Sequence, residues 1–310
     1  MTQHEVEHTI TVDAPAAEVY RLLAEVANWP LIFPPSVYVD QVERGATDER
    51  IRIWATANGE AKNWTSRRTL DPEKLQIGFQ QEVSAPPVAS MGGRWILEED
   101  GAGTKIRLLH HYRALDDDPD KLAWIDEAVD RNSRSELAAL KTNVELATDT
   151  QLTISFEDGV RIEGAAKDAY DFVNEAQLWQ ERLPHVAKVD LREDTPGLQV
   201  LRMDTLTADG SSHTTESVRV CFPHRKIAYK QTTLPALMQL HTGYWLFTEN
   251  GDGSTTAVSQ HTVILKAENI TAVLGPEAGI EQARTFIRGA LGTNSRATLG
   301  HAKNYAEARR

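Results

Sequence analysis

WILEEDGAGTKIRLLHH, residues 95–111, returns further along the chain as WLFTENGDGSTTAVSQH, residues 245–261. Trp95 and Trp245, Gly101 and Gly251, Gly103 and Gly253, and His111 and His261 all stand 150 positions apart. The same offset joins Tyr20 to Tyr170, Trp29 to Trp179, Pro34 to Pro184 and Asp40 to Asp190, and NSR at 132–134 recurs at 294–296 with an offset of 162. Agreement over three separated stretches marks an internal duplication, which has to be settled before any element is assigned. The chain reads as two copies, 1–148 and 149–310, joined through the short polar stretch ATDTQLT at 147–153.

Each copy has one order of elements. An opening strand (Val6–Val12; Leu152–Phe156) leads into a short helix, with Asp13 as the expected N-cap, Pro15 in the first turn and Trp29-Pro30 as the stop. Strands are predicted at 37–43, 49–56, 62–70, 74–82, 91–98 and 104–112, separated by the turn signals ANGE, DPEK and DGAG. An amphipathic helix closes the copy over about 119–146, with Leu122, Ile125, Val129, Leu137, Leu140 and Val144 on one stripe, and its counterpart covers about 277–308. The predicted class is therefore α+β. Two tandem domains each carry a curved antiparallel sheet of six or seven strands around a long C-terminal helix, and a cavity lies between sheet and helix.

Composition narrows the function. The 310 residues are 41% apolar and 25% charged, as in a globular chain, and no apolar run approaches a membrane span. A net charge of −12 lacks the basic face that nucleic acid needs. The N-terminus shows no signal-peptide pattern, and Cys221 is the single cysteine, so the expected compartment is the cytoplasm. One cysteine excludes a multi-cysteine metal site, and His110-His111 is no ligand pair because adjacent strand residues face opposite ways, so no metal is expected.

Alternation predicts what faces the cavity. In NWTSRR (63–68), Trp64, Ser66 and Arg68 share one side of a strand while Arg67 points away, and Ile106, Leu108, His110 and Tyr112 form the inner face of another. Trp95 adds aromatic surface, and Trp29 and Phe33 are placed at the entrance. Such a wall suits a planar, oxygen-rich apolar molecule, and a guanidinium inside it would stabilise charge developing on a carbonyl oxygen. The bland reading also stands: Arg68 paired with Glu82 or Asp71, the tryptophans as core, and His110 as a hydrogen-bonded structural residue.

The pattern resembles the didomain aromatase/cyclases of bacterial type II polyketide synthases, in the START-like, helix-grip superfamily. The matching residues are Trp29-Pro30 with Phe33, W-x-S-x-R as Trp64, Ser66 and Arg68, then Met91, Trp95, His110, Tyr112 and NSR. The resemblance implies regiospecific aldol closure of a poly-β-ketone held on an acyl carrier protein, C7–C12 for the first ring, followed by dehydration and aromatisation. It implies other type II synthase components as partners and no cofactor. It places catalysis on Arg68, Ser66, His110 and Tyr112. Substrate contacts fall on Trp29, Phe33, Tyr38, Trp64, Met91 and Trp95, and in the second copy on Arg219, His241, Tyr244 and Trp245. Single-domain relatives often carry a tyrosine near the position of Ser36, for which Tyr38, two residues on, either substitutes or does not. Carrier docking needs a basic patch, with Arg21, Arg44, Arg67 and Arg94 as candidates. In the second copy the motif has become T-E-S-V-R at 215–219; alignment on prolines makes Arg219 the partner of Arg68, whereas the offset of 150 gives Val218. The better-kept motif favours the first copy as the catalytic one. The competing function is a carrier that binds a hydrophobic ligand without chemistry.

Overall fold

The computed structural model describes residues 3–57, 60–147, 151–206 and 212–310. Asn58 and Gly59 of the ANGE turn and the middle of the 147–153 joint lie outside them. The chain divides into two compact units, Met1–Thr148 and Asp149–Arg310. No described helix is long and apolar enough to cross a membrane.

The first unit runs β1 (His4–Val12), α1 (Ala16–Ala24), α2 (Trp29–Ile32), β2 (Ser36–Arg44), β3 (Asp48–Ala57), β4 (Glu60–Asp71), β5 (Gln76–Gln81), β6 (Val88–Asp100), β7 (Gly103–Ala114) and α3 (Pro119–Ala147). Its seven strands order β1-β7-β6-β5-β4-β3-β2, so a single crossover from β1 to β2, carrying α1 and α2, interrupts a run of hairpins. Pro15, not Asp13, holds the cap position of α1, its carbonyl accepting from the N–H groups of Glu18 and Val19. Trp29-Pro30 does more than stop a helix: it opens α2, because proline is tolerated where the first N–H groups have no acceptor. Asp118 caps α3 by accepting from the N–H groups of Asp120 and Lys121. Ile125, Val129, Leu137, Leu140 and Val144 of α3 are buried, as the stripe predicts.

The second unit repeats this as β8 (Thr153–Ile162), α4 (Ala166–Asn174), α5 (Trp179–Arg182), β9 (Val186–Thr195), β10 (Leu198–Leu206), β11 (Ser212–Phe222), β12 (Lys226–Thr233), β13 (Met238–Glu249) and β14 (Thr255–Leu265). A short α6 (Ile270–Leu274) then precedes the long α7 (Ile280–Glu307). The strand order is the same.

Register settles which residues correspond. Ile53 faces Trp64 and Glu49 faces Arg68 across β3 and β4; Met203 faces Thr215 and Gln199 faces Arg219 across β10 and β11. Met203 to Thr215 is one residue longer than Ile53 to Trp64, and the next hairpin, 223–225 against 72–75, is one shorter. The two changes cancel, so only this strand slips, and Arg219 rather than Val218 matches Arg68. A second insertion lies in the NGDGS turn. Gly93 faces His110 but Gly243 faces His261, so His261 is the counterpart of His110, and its match to His111 at the constant offset is superficial. A one-residue slip moves a side chain to the other face, which is why this matters.

Candidate functional site

Arg68 is buried on the inner face of β4, while Arg67 is exposed and paired with Glu82. The Arg68 guanidinium donates to the carbonyls of Leu23 (3.0 Å) and Ala24 (3.4 Å), where α1 leaves acceptors unsatisfied. It lies 5.2 Å over the Trp29 ring, whose indole N–H also donates to Leu23. Its charge partner is neither Glu82 nor Asp71 but Glu49, at 3.1 Å, and both side chains are 1% exposed. The other Glu49 oxygen accepts from Gln41. Burial brings the guanidinium down to about 10, with Glu49 opposing the fall.

Around this pair the first domain packs tightly. Phe33 and Trp95 are buried core residues and Trp29 packs against them, so the expected entrance at Trp29 and Phe33 is instead interior. Trp64 packs with Ile51, Ile53 and Ala55. Ser66 donates to the Gln80 carbonyl at 3.0 Å. Tyr38 packs at a tilt against Trp54, whose neighbours Ile53 and Ala55 face the core, so Tyr38 sits on the outer side of the sheet and does not substitute for an inward tyrosine near Ser36. Tyr112 is fully buried and donates to Asp126 of α3 at 2.5 Å, and Met91 packs beside it. His110 stands edge-on to Phe79 at 5.5 Å with Nδ1 3.4 Å from the Ser133 hydroxyl, and burial lowers it to about 4. Glu136, one turn further along α3, is partly buried, and the desolvation raises its carboxyl to about 7.

The second domain holds a cavity of about 390 Å³, a size that suits a small ligand. Alternate residues of β11 wall it: His213, Thr215, Ser217 and Arg219. Arg219 repeats the Arg68 arrangement, donating to the Val173 carbonyl at the end of α4 (2.7 Å) and lying 5.3 Å over Trp179. Opposite it, however, stands Gln199, so among the described residues no carboxylate pairs with this guanidinium and its Nη1 has no hydrogen-bond partner. Trp245 lines the wall; Tyr244 faces the other way, under the Lys226 ammonium at 4.6 Å, and does not join it.

Across the cavity three polar rings meet. The Tyr229 hydroxyl is 2.9 Å from His261 Nδ1 and 3.4 Å from His241 Nε2, the two imidazoles are 3.0 Å apart, and His261 Nε2 lies 3.1 Å from the Ser259 hydroxyl. A consistent assignment has Tyr229 donating to His261, His261 donating to Ser259, and His241 donating to the phenol oxygen. Burial lowers His261 to about 4 and His241 well below its usual range, and raises the Tyr229 phenol. Both imidazoles are therefore neutral and the phenol protonated near neutral pH. In the first domain the same positions carry Phe79, Met91, His110 and Leu108, so only one histidine of this network exists there. Gly243 makes room for the phenol: a Cβ there would lie 2.7 Å from the Tyr229 oxygen. Of these groups the sequence reading held Arg219, His241 and Trp245; it missed Tyr229, Ser259 and the inward role of His261. The readable signal for His261 was its alternation with Ser259 and Val263 once the longer turn is allowed for.

Two seven-stranded antiparallel sheets, each with its long helix, define a protein of the START-like, helix-grip class in tandem. The chain belongs to the polyketide cyclase/dehydrase family: the family model described as polyketide cyclase / dehydrase and lipid transport matches residues 3–145 and again 153–307. It is similar to the granaticin polyketide synthase bifunctional cyclase/dehydratase of Streptomyces virginiae, 53% identical over 300 residues, 96% of this chain and 98% of that one. It is also similar to the actinorhodin polyketide synthase bifunctional cyclase/dehydratase of Streptomyces coelicolor, 45% identical over 97% of this chain and 96% of that one. Among solved structures, the di-domain ARO/CYC BexL from the BE-7585A biosynthetic pathway matches with a TM-score of 0.95 and 69% identity, covering 99% of this chain and 100% of that one. The di-domain ARO/CYC StfQ from the steffimycin biosynthetic pathway matches with a TM-score of 0.88 and 34% identity, over 98% and 99%. The chain is accordingly an enzyme of the cyclase/dehydratase class.

Proposed function

We propose that the chain closes the first ring of a carrier-bound poly-β-ketone by aldol addition, joining C7 to C12, then dehydrates it towards the aromatic ring, and that the second-domain cavity carries this chemistry. The observation behind the choice of domain is Arg219: a buried guanidinium without a carboxylate, in the wall of an open cavity, facing a tyrosine and two neutral histidines. Arg68 has the same fold position, but Glu49 already neutralises it.

The groups match the steps. When Tyr229 turns its hydroxyl from His261 to the substrate oxygen, the freed Nδ1 of His261 takes a proton from a methylene between two carbonyls. The resulting enolate carbon attacks a ketone carbon, a C–C bond forms, and the carbonyl π pair moves to oxygen. Arg219 stabilises that oxyanion, an effect worth roughly 10²–10³ in rate for one good donor. Tyr229 protonates it and recovers a proton through His261. Loss of a second α proton and of the hydroxyl as water leaves the double bond. The walls contribute by holding a flexible chain so that one pair of carbons meets. Carrier-protein docking requires accessible cations. Arg21 and Arg67 are held in ion pairs, whereas Arg44 and Arg94 bond to the glutamine amides of Gln41 and Gln76, which leaves them the better candidates.

The test is reconstitution with a minimal polyketide synthase and its acyl carrier protein fed 13C-labelled extender units. The wild type should give a C7–C12 ring by NMR, and His261→Gln should shift the output to uncyclised shunt products. A C9–C14 ring from the wild type, or normal product from His261→Gln, overturns the assignment.

A further inference from the structure

The two domains differ at one position that decides the charge of each interior. On β3 the residue opposite the arginine is Glu49, and on β10 it is Gln199; both are buried. Glu49 closes an ion pair with Arg68. Gln199 closes none with Arg219: its amide N–H donates to Glu193 at 2.8 Å, and its own oxygen, like Arg219 Nη1, has no partner among the described residues. Among the described residues no other anion replaces the missing one. Glu193 is exposed to water, which screens its charge, and an amide separates it from the guanidinium. Cys221 and Tyr170, the other ionisable neighbours of Arg219, are buried and stay protonated near neutral pH, the thiol being pushed up to about 11.

Resting on the reading of this cavity as the substrate site, we infer that Gln199 is a specificity-determining residue, leaving the second cavity cationic so that it takes its ligand as an anion, the enolate or phenolate of an oxygenated ring precursor. Glu49 does the opposite in the first domain and excludes an anion there. An uncharged residue at 199 keeps Arg219 free for the ligand; a carboxylate at 199 would supply the counter-ion from the protein and displace it. Desolvation magnifies the effect, since an unpaired charge in the interior attracts an opposite charge far more strongly than it would in water.

A pair of probes of one shape and two charges tests this with the full chain: 2-naphthoate and neutral 2-acetylnaphthalene, followed by calorimetry and quenching of tryptophan fluorescence. The wild type should bind one equivalent of 2-naphthoate, at least tenfold more tightly than the ketone. Gln199→Glu should weaken 2-naphthoate at least tenfold while leaving 2-acetylnaphthalene within threefold. Gln199→Leu, uncharged and of similar volume, should keep 2-naphthoate within threefold. If Gln199→Glu does not fold, Arg219→Gln removes the same charge from the other side and should show the same selective loss. Equal loss of both probes in the folded variant, unaltered naphthoate binding, or two equivalents of naphthoate in the wild type would overturn the inference. Cyclisation is read separately. Intact ring closure without anion preference defeats this inference alone, and anion preference without ring closure defeats the proposed function alone.

Discussion

Replacing Glu49 with alanine should unfold the first domain far more easily than any comparable change in the second. The Glu49 and Arg68 side chains are each 1% exposed and 3.1 Å apart. Removing the carboxylate leaves the guanidinium its two α1 carbonyls and the Trp29 ring, but no counter-charge. Breaking a buried pair from one side costs about 3–5 kcal/mol. For a domain of this size each kcal/mol moves Tm by about 2–4 °C, so the first-domain transition should fall by roughly 6–20 °C. Gln199→Ala removes an amide hydrogen bond and no ion pair, and should cost about 1–2 kcal/mol. Scanning calorimetry on the full chain measures both, and urea unfolding supplies the free energies. The double variant Glu49→Ala/Arg68→Met removes the stranded charge and should be more stable than Glu49→Ala alone. If Glu49→Ala costs no more than Gln199→Ala, or the double variant is worse than the single, the buried pair is not what differs between the domains.

Tyr229→Phe should leave the fold intact and slow ring closure by about 10²–10⁴, the usual worth of a positioned proton donor; a loss below fivefold in the reconstituted assay would exclude it from that role. Gly243→Ala drives a Cβ into the Gln260 backbone carbonyl as well as the Tyr229 ring, so ring closure and the second-domain Tm should both fall, and unchanged activity and Tm would show that the strands and ring have room to move. Acidification should unfold the second domain first. His241 and His261 lie below their unfolded value of about 6.5, so their stabilisation is complete above that value and is lost as pH falls towards 4, by up to about 3 kcal/mol for His261. In the first domain His110 behaves likewise, but Glu136, raised to about 7, has the opposite sign: its contribution is full below about 4.5 and is lost as pH rises through 7. Calorimetry from pH 7 to 4.5 should therefore show the second-domain transition falling faster, and parallel shifts would contradict this.

The duplication, the strand count and the long helices were legible because they rest on periodicities and on repeated glycines and tryptophans. The inward face of β4 was legible for the same reason: Arg67 and Arg68 cannot point the same way. What a constant offset hides is register. One-residue changes in turns moved β11 and β14 to an offset of 151 from their first-domain counterparts, so Arg219 stayed ambiguous and His261 was matched to the wrong histidine. Nearness to the relatives' tyrosine position is the only mark on Tyr38, and residue type the only mark on Tyr244, and pleat phase puts both outside. Glu49 lies nineteen positions before Arg68 and carries no local mark of burial, since charged residues at strand ends usually face water. Its pairing depends on which strands become neighbours, which only the sheet order reveals. The Tyr229–His261–His241 contact likewise joins three strands.

Ring closure is assigned to the unpaired guanidinium of the second domain. The most direct measurement is the yield of cyclised product from the reconstituted synthase with Arg219→Gln and with Arg68→Gln, each normalised to folded protein. Arg219→Gln should lose at least a hundredfold, and Arg68→Gln no more than the fall in folded first domain. Normal cyclisation by Arg219→Gln, with cyclisation abolished in well-folded Arg68→Gln, would contradict it and return the chemistry to the first domain.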